Sequence, residues 1–419
     1  MNTLPTSLKV YIEDKNIGVL KVDNDGIYSF VYDQAWLDDK NSYPISRSLP
    51  LQNDVFEGSV ARNFFKNLLP EELVRKRLAS IHGVSEGNDY ALLSFIGGEC
   101  AGAISLLPED KSPHYSDKHC YQKLNKDQLE SLIEGLSDDP MLSSRHHIRL
   151  SLAGAQNKLP LRYDHDQFFI PKYGAPSNCI VKPSISIYPD STVNELYCMR
   201  LASSISLPVP KTHYLKLHSQ EALVVERYDR QPVGDKIIRL HQEDFCQLTG
   251  RSDLSKYEAE GGPTLSECAN IIREWSTMPI DDLTLLTRWV IFNVLIGNND
   301  AHAKNISILY QNAERRLSPF YDLLTTRFYE RLSPQPAMSI GGCQQSDLVN
   351  RTHWEQLASD IGVSKKVIFS KIDSISSAII SNVVGTADKI IAEGAYAKSV
   401  NKIMLFIAQR TRKLLKQSS

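Results

Sequence analysis

The sequence predicts an α+β protein, because strand-like runs dominate its first part and helical periodicity dominates its second part. Residues 8–12, 17–20 and 27–32 alternate apolar and polar side chains, and polar turns separate them. This pattern predicts a three-stranded meander. Beyond residue 237, apolar residues recur three and four positions apart, which is typical of helices.

A helix, a hairpin and a linker are predicted after the meander. Residues 61–79 group Phe64, Phe65, Leu68 and Leu69 on one apolar face, which indicates a helical zone. The glycine-broken apolar segment 91–107 predicts a hairpin, and the polar, proline-punctuated segment 108–118 predicts a linker.

The remaining elements follow the same division. Strands are predicted at residues 148–152, 159–163, 168–170, 179–182 and 223–228, with one embedded helix at 193–205. Helices are predicted at 264–275, 282–296, 354–361, 367–384 and 387–415. Asp281 and Asp282 are candidate N-caps for the helix at 282–296, and Gly297 is its candidate C-cap.

Composition excludes several classes of protein. The chain is 42% hydrophobic and 23% charged, which predicts a soluble globular protein with a large core. Lys+Arg 47 against Asp+Glu 49 gives a net charge of −2, which argues against a nucleic-acid binder that uses its whole surface. Seven scattered cysteines, without zinc or redox spacing, predict buried thiols in a reducing compartment. Without a secretory signal or an uncharged apolar run of about 18 residues, a cytoplasmic location is expected.

The segment from 298 to 322 carries the strongest chemical signal. Its polar loop follows an apolar helix and precedes a predicted hairpin. Asp300 can accept a proton from an attacking hydroxyl, while Asn305 and Asp322 offer oxygen ligands for Mg²⁺. The spacing D-x-x-x-x-N matches the catalytic loop of protein kinases, although this match alone occurs by chance in many proteins.

Two further kinase parts occur in the expected order. Lys182 ends an apolar strand-like run, and Glu195 lies in the next predicted helix. Each alone would ordinarily be a solvated residue, but together with the downstream loop they predict a phosphate-binding lysine and its carboxylate partner. Residues 151–158 include small residues whose N–H groups could approach a phosphate, but only one glycine, so these eight residues alone favour an ordinary β-turn over a phosphate loop.

The sequence resembles the HipA family of bacterial serine/threonine kinase toxins. The resemblance extends from about residue 8 to beyond residue 340 and rests on several motifs in order. These motifs are Phe64-Phe-Lys-Asn-Leu-Leu-Pro-Glu71, Ser151-Leu-Ala-Gly-Ala-Gln-Asn-Lys158, Asn194-Glu-Leu-Tyr-Cys198, Val225-Glu-Arg-Tyr-Asp-Arg230, Asp300-Ala-His-Ala-Lys-Asn305 and Pro319-Phe-Tyr-Asp322.

The resemblance implies a bilobal protein-kinase-like fold and a set of residue roles. The implied domains are an N-terminal α/β subdomain at 1–110, a mainly β lobe at 111–232 and a helical lobe at 233–419. Asp300 would be the catalytic base, with Lys182 and Glu195 as its catalytic partners, and Ser151 would be autophosphorylated. Asn305 and Asp322 would hold Mg²⁺. The implied ATP-binding residues are Ala153, Gly154, Ala155, Gln156, Asn157, Lys158, Lys182, Glu226, Arg227, Tyr228, His302, Ala303, Lys304, Asn305 and Tyr321.

Partners are also implied by the resemblance. They are a HipB-like helix-turn-helix antitoxin, present as a dimer in a heterotetramer, and operator DNA reached mainly through it, with nucleoid association in that complex. The family precedent for the substrate is an aminoacyl-tRNA synthetase, notably the glutamyl enzyme, whose phosphorylation halts translation and produces persistence.

An alternative function is a catalytically quiet corepressor, which the intact kinase residues disfavour. Two weak signals remain besides the motifs. The six basic residues after Gly394 could touch DNA or form a solvated helix face. His146 and His147 are not expected to form a metal pair, because neighbouring side chains diverge.

Overall fold

The computed structural model describes residues 4–113, 120–145, 147–234 and 236–418. The strands are β1 (Ser7–Ile12), β2 (Lys15–Val22), β3 (Tyr28–Tyr32), β4 (Phe56–Glu57), β5 (Ile104–Pro108), β6 (Tyr121–Leu124), β7 (Leu159–Asp164), β8 (Gln167–Pro171), β9 (Cys179–Pro183), β10 (Thr212–Lys216), β11 (Glu221–Glu226), β12 (Arg230–Val233), β13 (Lys236–Arg239), β14 (His241–Asp244), β15 (Ser307–Gln311) and β16 (Glu314–Leu317). The helices are α1 (Gln34–Leu37), α2 (Ser59–Lys66), α3 (Glu72–His82), α4 (Asp89–Ile96), α5 (Lys126–Glu134), α6 (Ser191–Ser204), α7 (Phe245–Leu248), α8 (Leu265–Trp275), α9 (Pro279–Ile296), α10 (Arg351–Asp360), α11 (Lys365–Ala392) and α12 (Ala397–Ser418).

The chain forms two compact units. The first contains Met1–Pro183, Glu226–Asp253 and Leu309–Asn312, and the second contains Ser184–Val225, Leu254–Ile308 and Ala313–Ser419. The predicted domain boundaries near residues 110 and 232 stay predictions.

The first unit begins with the predicted meander. β1, β2 and β3 pair antiparallel within a sheet of order β4-β3-β2-β1-β5, which confirms the alternating pattern. One face of this sheet is closed by α2, because the Phe30 and Phe65 rings lie 5.4 Å apart in a shared apolar core. The predicted helical zone at 61–79 is two helices, since Pro70 lacks the N–H that a continuing helix needs.

The segment predicted as a hairpin at 91–107 is instead helix α4 followed by strand β5. Asn88 accepts a hydrogen bond from the Ala91 N–H and so caps the helix. Both α4 and β5 are buried on nearly all sides. A fully buried apolar run carries no periodicity that separates a short helix from a strand, which explains the wrong prediction.

A second sheet in the first unit follows the predicted strands. β9, β7, β8 and β6 pair antiparallel in that order, with Leu159 opposite Val181. Residues 148–152 are not a strand, although Leu150 forms an isolated bridge with Glu99.

The second unit is mainly helical. α9 packs against α8, α11 and α12, and α6 packs against α11 and α12. α9 begins at Pro279, whose fixed φ suits a first helical position, and not at the predicted acidic caps. Buried Asp282 instead accepts hydrogen bonds from Arg316 and from the Leu317 N–H, which fixes the start of α9 to β16.

The last two helices meet later than predicted. Gly385 lies inside α11. Gly394 has a left-handed φ of +98° and follows the end of α11. α11 is long and apolar enough to cross a membrane by length and composition. Its buried face, which includes Ile372, Ile379 and Ile390, is that of a helix packed on α6, α9 and α12.

The predicted burial of the cysteines is confirmed, because all seven are buried and none forms a disulfide bond, while the reducing compartment stays a prediction. His146 and residues 114–118 of the predicted linker lie outside the described residues.

A buried carboxyl group lies among aromatic rings of the first unit. Glu243 is fully buried in β14, and Tyr310 donates its hydroxyl proton to it. The His241 and Tyr43 rings lie 4.9 and 5.6 Å from the Tyr310 ring. Burial is the largest effect on Glu243 and raises its pKa to about 7.

This raised pKa predicts a pH dependence of stability. The folded state holds the Glu243 proton up to about pH 7, whereas the unfolded chain releases it near its ordinary value of 4.5. Stability from this group is therefore complete below pH 4.5 and is lost as the pH rises to 7, by on the order of 3 kcal/mol. Glu243→Gln has no such proton to lose. The free energy of unfolding of the variant minus that of wild type should therefore be larger at pH 8 than at pH 5. Urea unfolding at both pH values measures this, with the exposed Glu57→Gln as control, and an unchanged difference would contradict it.

Candidate active site

The loop that carries Asp300 begins where α9 ends. Gly297 has a left-handed φ of +80°, and its N–H donates to the carbonyls of Asn293 and Val294. Glycine adopts this conformation without steric cost, so the helix stops there as predicted.

Asparagine side chains then hold the loop main chain. Asn298 donates from Nδ2 to Asn293 Oδ1 at 2.8 Å and accepts from the Asp300 N–H at 3.1 Å. The same Nδ2 lies 3.4 Å from the Asp322 carbonyl oxygen. Asn298 is buried, so these bonds satisfy main-chain groups that have little access to water.

The Asp300 carboxylate is oriented from one side by a tyrosine. Tyr257 donates its hydroxyl proton to Asp300 Oδ1 at 2.8 Å. Asn305 donates from Nδ2 to the Asp300 carbonyl oxygen, also at 2.8 Å, and closes the loop on itself. Asp300 itself remains partly exposed.

The other predicted loop residues are mostly buried. His302, Ala303 and Lys304 have low exposure, and the His302 ring packs edge-on against the Tyr257 ring at 5.3 Å. Tyr321 donates its hydroxyl proton to the Lys304 carbonyl oxygen at 2.7 Å. The structure thus brings these residues together around the Asp300 loop, and their nucleotide contacts stay predictions.

Asp322 has an uncommon main-chain conformation. Its φ of +53° lies in the left-handed region, which costs about 1–3 kcal/mol for a non-glycine residue and is concentrated at functional sites. Its side chain is partly exposed.

Asp322 and Asn305 carry oxygen atoms of the kind that Mg²⁺ binds, and their role as magnesium ligands stays a prediction. Asn305 directs its amide nitrogen to the Asp300 carbonyl, so its amide oxygen is the atom that could bind a cation. Within the described part of the chain, no group of three or more His, Cys, Asp and Glu side chains could hold a metal. One carboxylate and one amide oxygen suit Mg²⁺, which keeps several waters and binds substrate phosphates.

Lys182 and Glu195 lie on the predicted kinds of element. Lys182 is buried near the end of β9 in the first unit, and Glu195 is buried in α6 of the second. A lysine and a glutamate are rarely buried unless they have partners, which supports specific roles for both.

The predicted phosphate loop is irregular main chain in the first unit. Gly154 has a φ of +106°, a main-chain conformation that glycine adopts without the strain that a Cβ would cause. Lys158 in turn donates to the Ala153 carbonyl. The Glu71 N–H donates to the Gly154 carbonyl at 3.1 Å, which attaches the loop to the N-terminal motif.

Ser151 is fully buried at the start of this loop. Its Oγ donates to the Leu68 carbonyl oxygen at 2.7 Å, and its N–H donates to the Glu99 carbonyl oxygen at 2.8 Å. A phosphate group could not be added in this position, so phosphorylation requires the segment to leave it.

Residues 226–230 rest on a buried ion cluster. Arg227 donates to Asp229 and to Glu99, and Arg230 also donates to Glu99. Burial alone would raise the pKa of Asp229, but the charges of both arginines outweigh it and hold that pKa well below its usual range. The Arg227 side chain is committed to this cluster, which leaves its carbonyl group as the atom for the predicted nucleotide contact.

The family resemblance implies that the flanking residues Glu226 and Tyr228 lie at the hinge that receives the adenine, and both are more accessible than Arg227. Glu226 and Tyr228 are half-buried, and Tyr228 donates its hydroxyl proton to Gln242.

Sequence reasoning missed the roles of Tyr257 and Asn298. It also missed that the Asn194 side chain binds the main chain of Thr325. Tyr257 lies 43 residues before Asp300 in an irregular segment, so no local spacing connects the two. A signal existed for Asn194, because a polar residue on a buried helix face is unfavourable unless its side chain has partners.

Comparison with known proteins is consistent across nearly the whole chain. Residues 150–386 match the HipA-like C-terminal domain, and residues 8–107 match the HipA N-terminal domain. The chain is 39% identical to Y4mE of Sinorhizobium fredii, over 91% of this chain and 93% of that protein. It is 29% identical to the serine/threonine-protein kinase toxin HipA of Shewanella oneidensis, over 90% and 89% of the two chains.

A solved structure extends this similarity to the fold. It is the complex of HipA, HipB and operator DNA from the toxin–antitoxin system of Shewanella oneidensis MR-1. The TM-score is 0.85 at 26% identity, and the match covers 98% of this chain and 97% of that chain. The predicted α+β, protein-kinase-like fold is thereby confirmed, and the chain belongs to the HipA family.

Proposed function

We propose that this protein is a serine/threonine protein kinase toxin that transfers the γ-phosphate of ATP to a protein serine. The observation that carries the proposal is the construction of the Asp300 loop. Tyr257 orients the carboxylate of the partly exposed Asp300, and Asn305 holds the Asp300 main chain in a largely buried loop. The nearby Asp322 adopts a left-handed main-chain conformation. A quiet corepressor has no need to retain these features.

The proposed mechanism relies on positioning and on neutralisation of charge. Asp300 accepts the proton of the substrate serine as the serine oxygen bonds to the γ-phosphorus of ATP, and the bond from that phosphorus to the β–γ bridging oxygen breaks to release ADP. Asn305 and Asp322 hold Mg²⁺, which supplies charge neutralisation at the phosphates. Lys182 contacts the phosphates, Glu195 supports it, and residues 153–158 cover them with main-chain N–H groups.

The partners, substrate and location are proposed from membership of the HipA family. A helix-turn-helix antitoxin and operator DNA are proposed partners, because the related Shewanella chain is seen with HipB and operator DNA. The proposed substrate is an aminoacyl-tRNA synthetase, the proposed outcome is inhibited translation and dormancy, and the proposed location is the cytoplasm.

The two acidic residues should fail in different ways. Asp300→Ala removes the base and should lower the transfer rate by about 10²–10⁴-fold while Mg·ATP still binds. Asp322→Ala should lower both the transfer rate and the affinity for Mg·ATP, because it removes a proposed magnesium ligand. Radiolabel transfer and calorimetric titration with Mg·ADP separate the effects, with the exposed Asp281→Ala as control. An Asp300→Ala protein with near-wild-type turnover would exclude Asp300 as the base, whereas a wild-type protein that transfers no phosphate would favour the corepressor reading.

The hydrogen bond from Tyr257 should affect turnover and not nucleotide affinity. Tyr257→Phe leaves the Asp300 carboxylate free to rotate, and a lost hydrogen bond to a charged group is worth about 1.5–3 kcal/mol. We expect kcat to fall about ten-fold or more, with the KM for ATP nearly unchanged. The exposed Tyr396→Phe is a matched control. Unchanged kcat would show that Asp300 is oriented without Tyr257.

Autophosphorylation should occur at Ser151 and inactivate the protein. A phosphate adds about −1.5 to −2 charge and cannot occupy the buried Ser151 position, so the phosphorylated loop should be displaced. Intact-mass measurement after incubation with Mg·ATP should show one added phosphate in wild type and none in Ser151→Ala or Asp300→Ala. Persistence of the phosphate in Ser151→Ala would place the modification elsewhere.

A further inference from the structure

We propose that Asn194 and Thr326 are positioning residues that fix Glu195, Asp300 and Asp322 in one arrangement. The inference rests on the proposed kinase function and deepens it. It concerns the segment directly after Asp322, whose main chain is bound by the Asn194 side chain from α6, and whose Thr326 side chain binds the loop before Asp300.

Asn194 forms two hydrogen bonds with the main chain of a single residue, Thr325. It is fully buried in α6, next to Glu195 in sequence. Its Oδ1 accepts from the Thr325 N–H at 2.8 Å, and its Nδ2 donates to the Thr325 carbonyl oxygen at 3.0 Å. Such paired bonds need a side chain with both a donor and an acceptor, which an amide supplies and a carboxylate does not.

Thr326 joins the same segment to the Asp300 loop. Its Oγ1 accepts from the Asn299 N–H at 2.8 Å and donates to the Gly297 carbonyl oxygen at 3.2 Å. Asn299 directly precedes Asp300, so the hydroxyl group holds the main chain beside the proposed base.

These contacts connect three proposed functional residues to one segment, residues 325–326. Glu195 follows Asn194, Asp300 follows Asn299, and Asp322 precedes Thr326 by four residues. The bonds are buried, where polar groups are costly to leave unpaired, so the segment cannot shift without breaking them. They also hold the chain just beyond the left-handed Asp322. Small misplacements of catalytic groups cost large factors in rate, which gives this coupling a measurable effect.

A neighbouring threonine provides a matched control. Thr325 is fully buried too, and its hydroxyl oxygen finds no hydrogen-bond partner among the described residues. Thr325→Val and Thr326→Val therefore make the same change, one position apart, but only the second removes the contacts to the Asp300 loop.

The test compares these variants in binding and in transfer. Calorimetry with ADP alone and with Mg·ADP measures how much Mg²⁺ strengthens nucleotide binding, and kinase assays give kcat and KM for ATP. We expect Thr326→Val and Asn194→Asp to lower kcat at least ten-fold and to reduce the Mg²⁺-dependent gain in ADP affinity, with affinity for ADP alone unchanged. Thr326→Ser should restore both to within about three-fold of wild type.

The outcomes separate this inference from the proposed function. If wild type neither binds Mg·ADP nor transfers phosphate, the kinase proposal itself fails. If wild type is active and Thr326→Val matches Thr325→Val in kcat and in the Mg²⁺ effect, the positioning role is overturned. A loss in Thr326→Val that Thr326→Ser does not restore overturns it as well, because the hydroxyl group is then not the cause. Thermal unfolding of each variant checks that the compared proteins are folded.

Discussion

The candidate site depends on side chains that satisfy the hydrogen bonds of buried, irregular main chain. The loop after α9 is neither helix nor strand, yet much of it is shielded from water, so its N–H and carbonyl groups need partners. Asn298 and Asn305 supply them from within the loop, and Thr326 supplies them from outside. Amides and hydroxyls suit this task because each donates and accepts at once. The carboxylate of Asp300 can then remain partly exposed while its main chain is fixed.

The first unit uses a different arrangement at residues 226–230. There, buried charges of opposite sign hold the chain, with Glu99 between Arg227 and Arg230. Such a cluster is costly to bury, and removing one partner leaves an uncompensated charge. The cluster links the segment after β11 to the chain that follows α4, so the N-terminal part of the chain contributes directly to the shape of the predicted hinge.

Much of the fold could be predicted from the sequence, and the exceptions have physical causes. The meander and the helices α6, α8 and α9 follow from periodicity because each has one buried and one exposed side, or an unambiguous length. The prediction for α4 and β5 was wrong, because burial on all sides removes the alternation of apolar and polar residues that separates helices from strands. In the site, Asp300, Asn305 and Asp322 could be proposed from spacing and resemblance. Tyr257 could not, because its contact with Asp300 connects segments 43 residues apart.

The two loops proposed to act on ATP are both held through buried hydrogen bonds, but different groups form these bonds. The Asp300 loop is bound by side chains of several residues, including Asn298 and Thr326, and its displacement would leave buried polar groups unpaired. The phosphate loop is bound by Ser151, which donates to the Leu68 and Glu99 carbonyls, and by the Glu71 N–H, which donates to the Gly154 carbonyl. Gln156 adds a bond to the Pro183 carbonyl. If Ser151 is phosphorylated as proposed, the segment must break these bonds, and water must then satisfy the polar groups that it leaves. The proposed switch therefore depends on the free energy of opening this segment, whereas the proposed base must keep its position through each turnover.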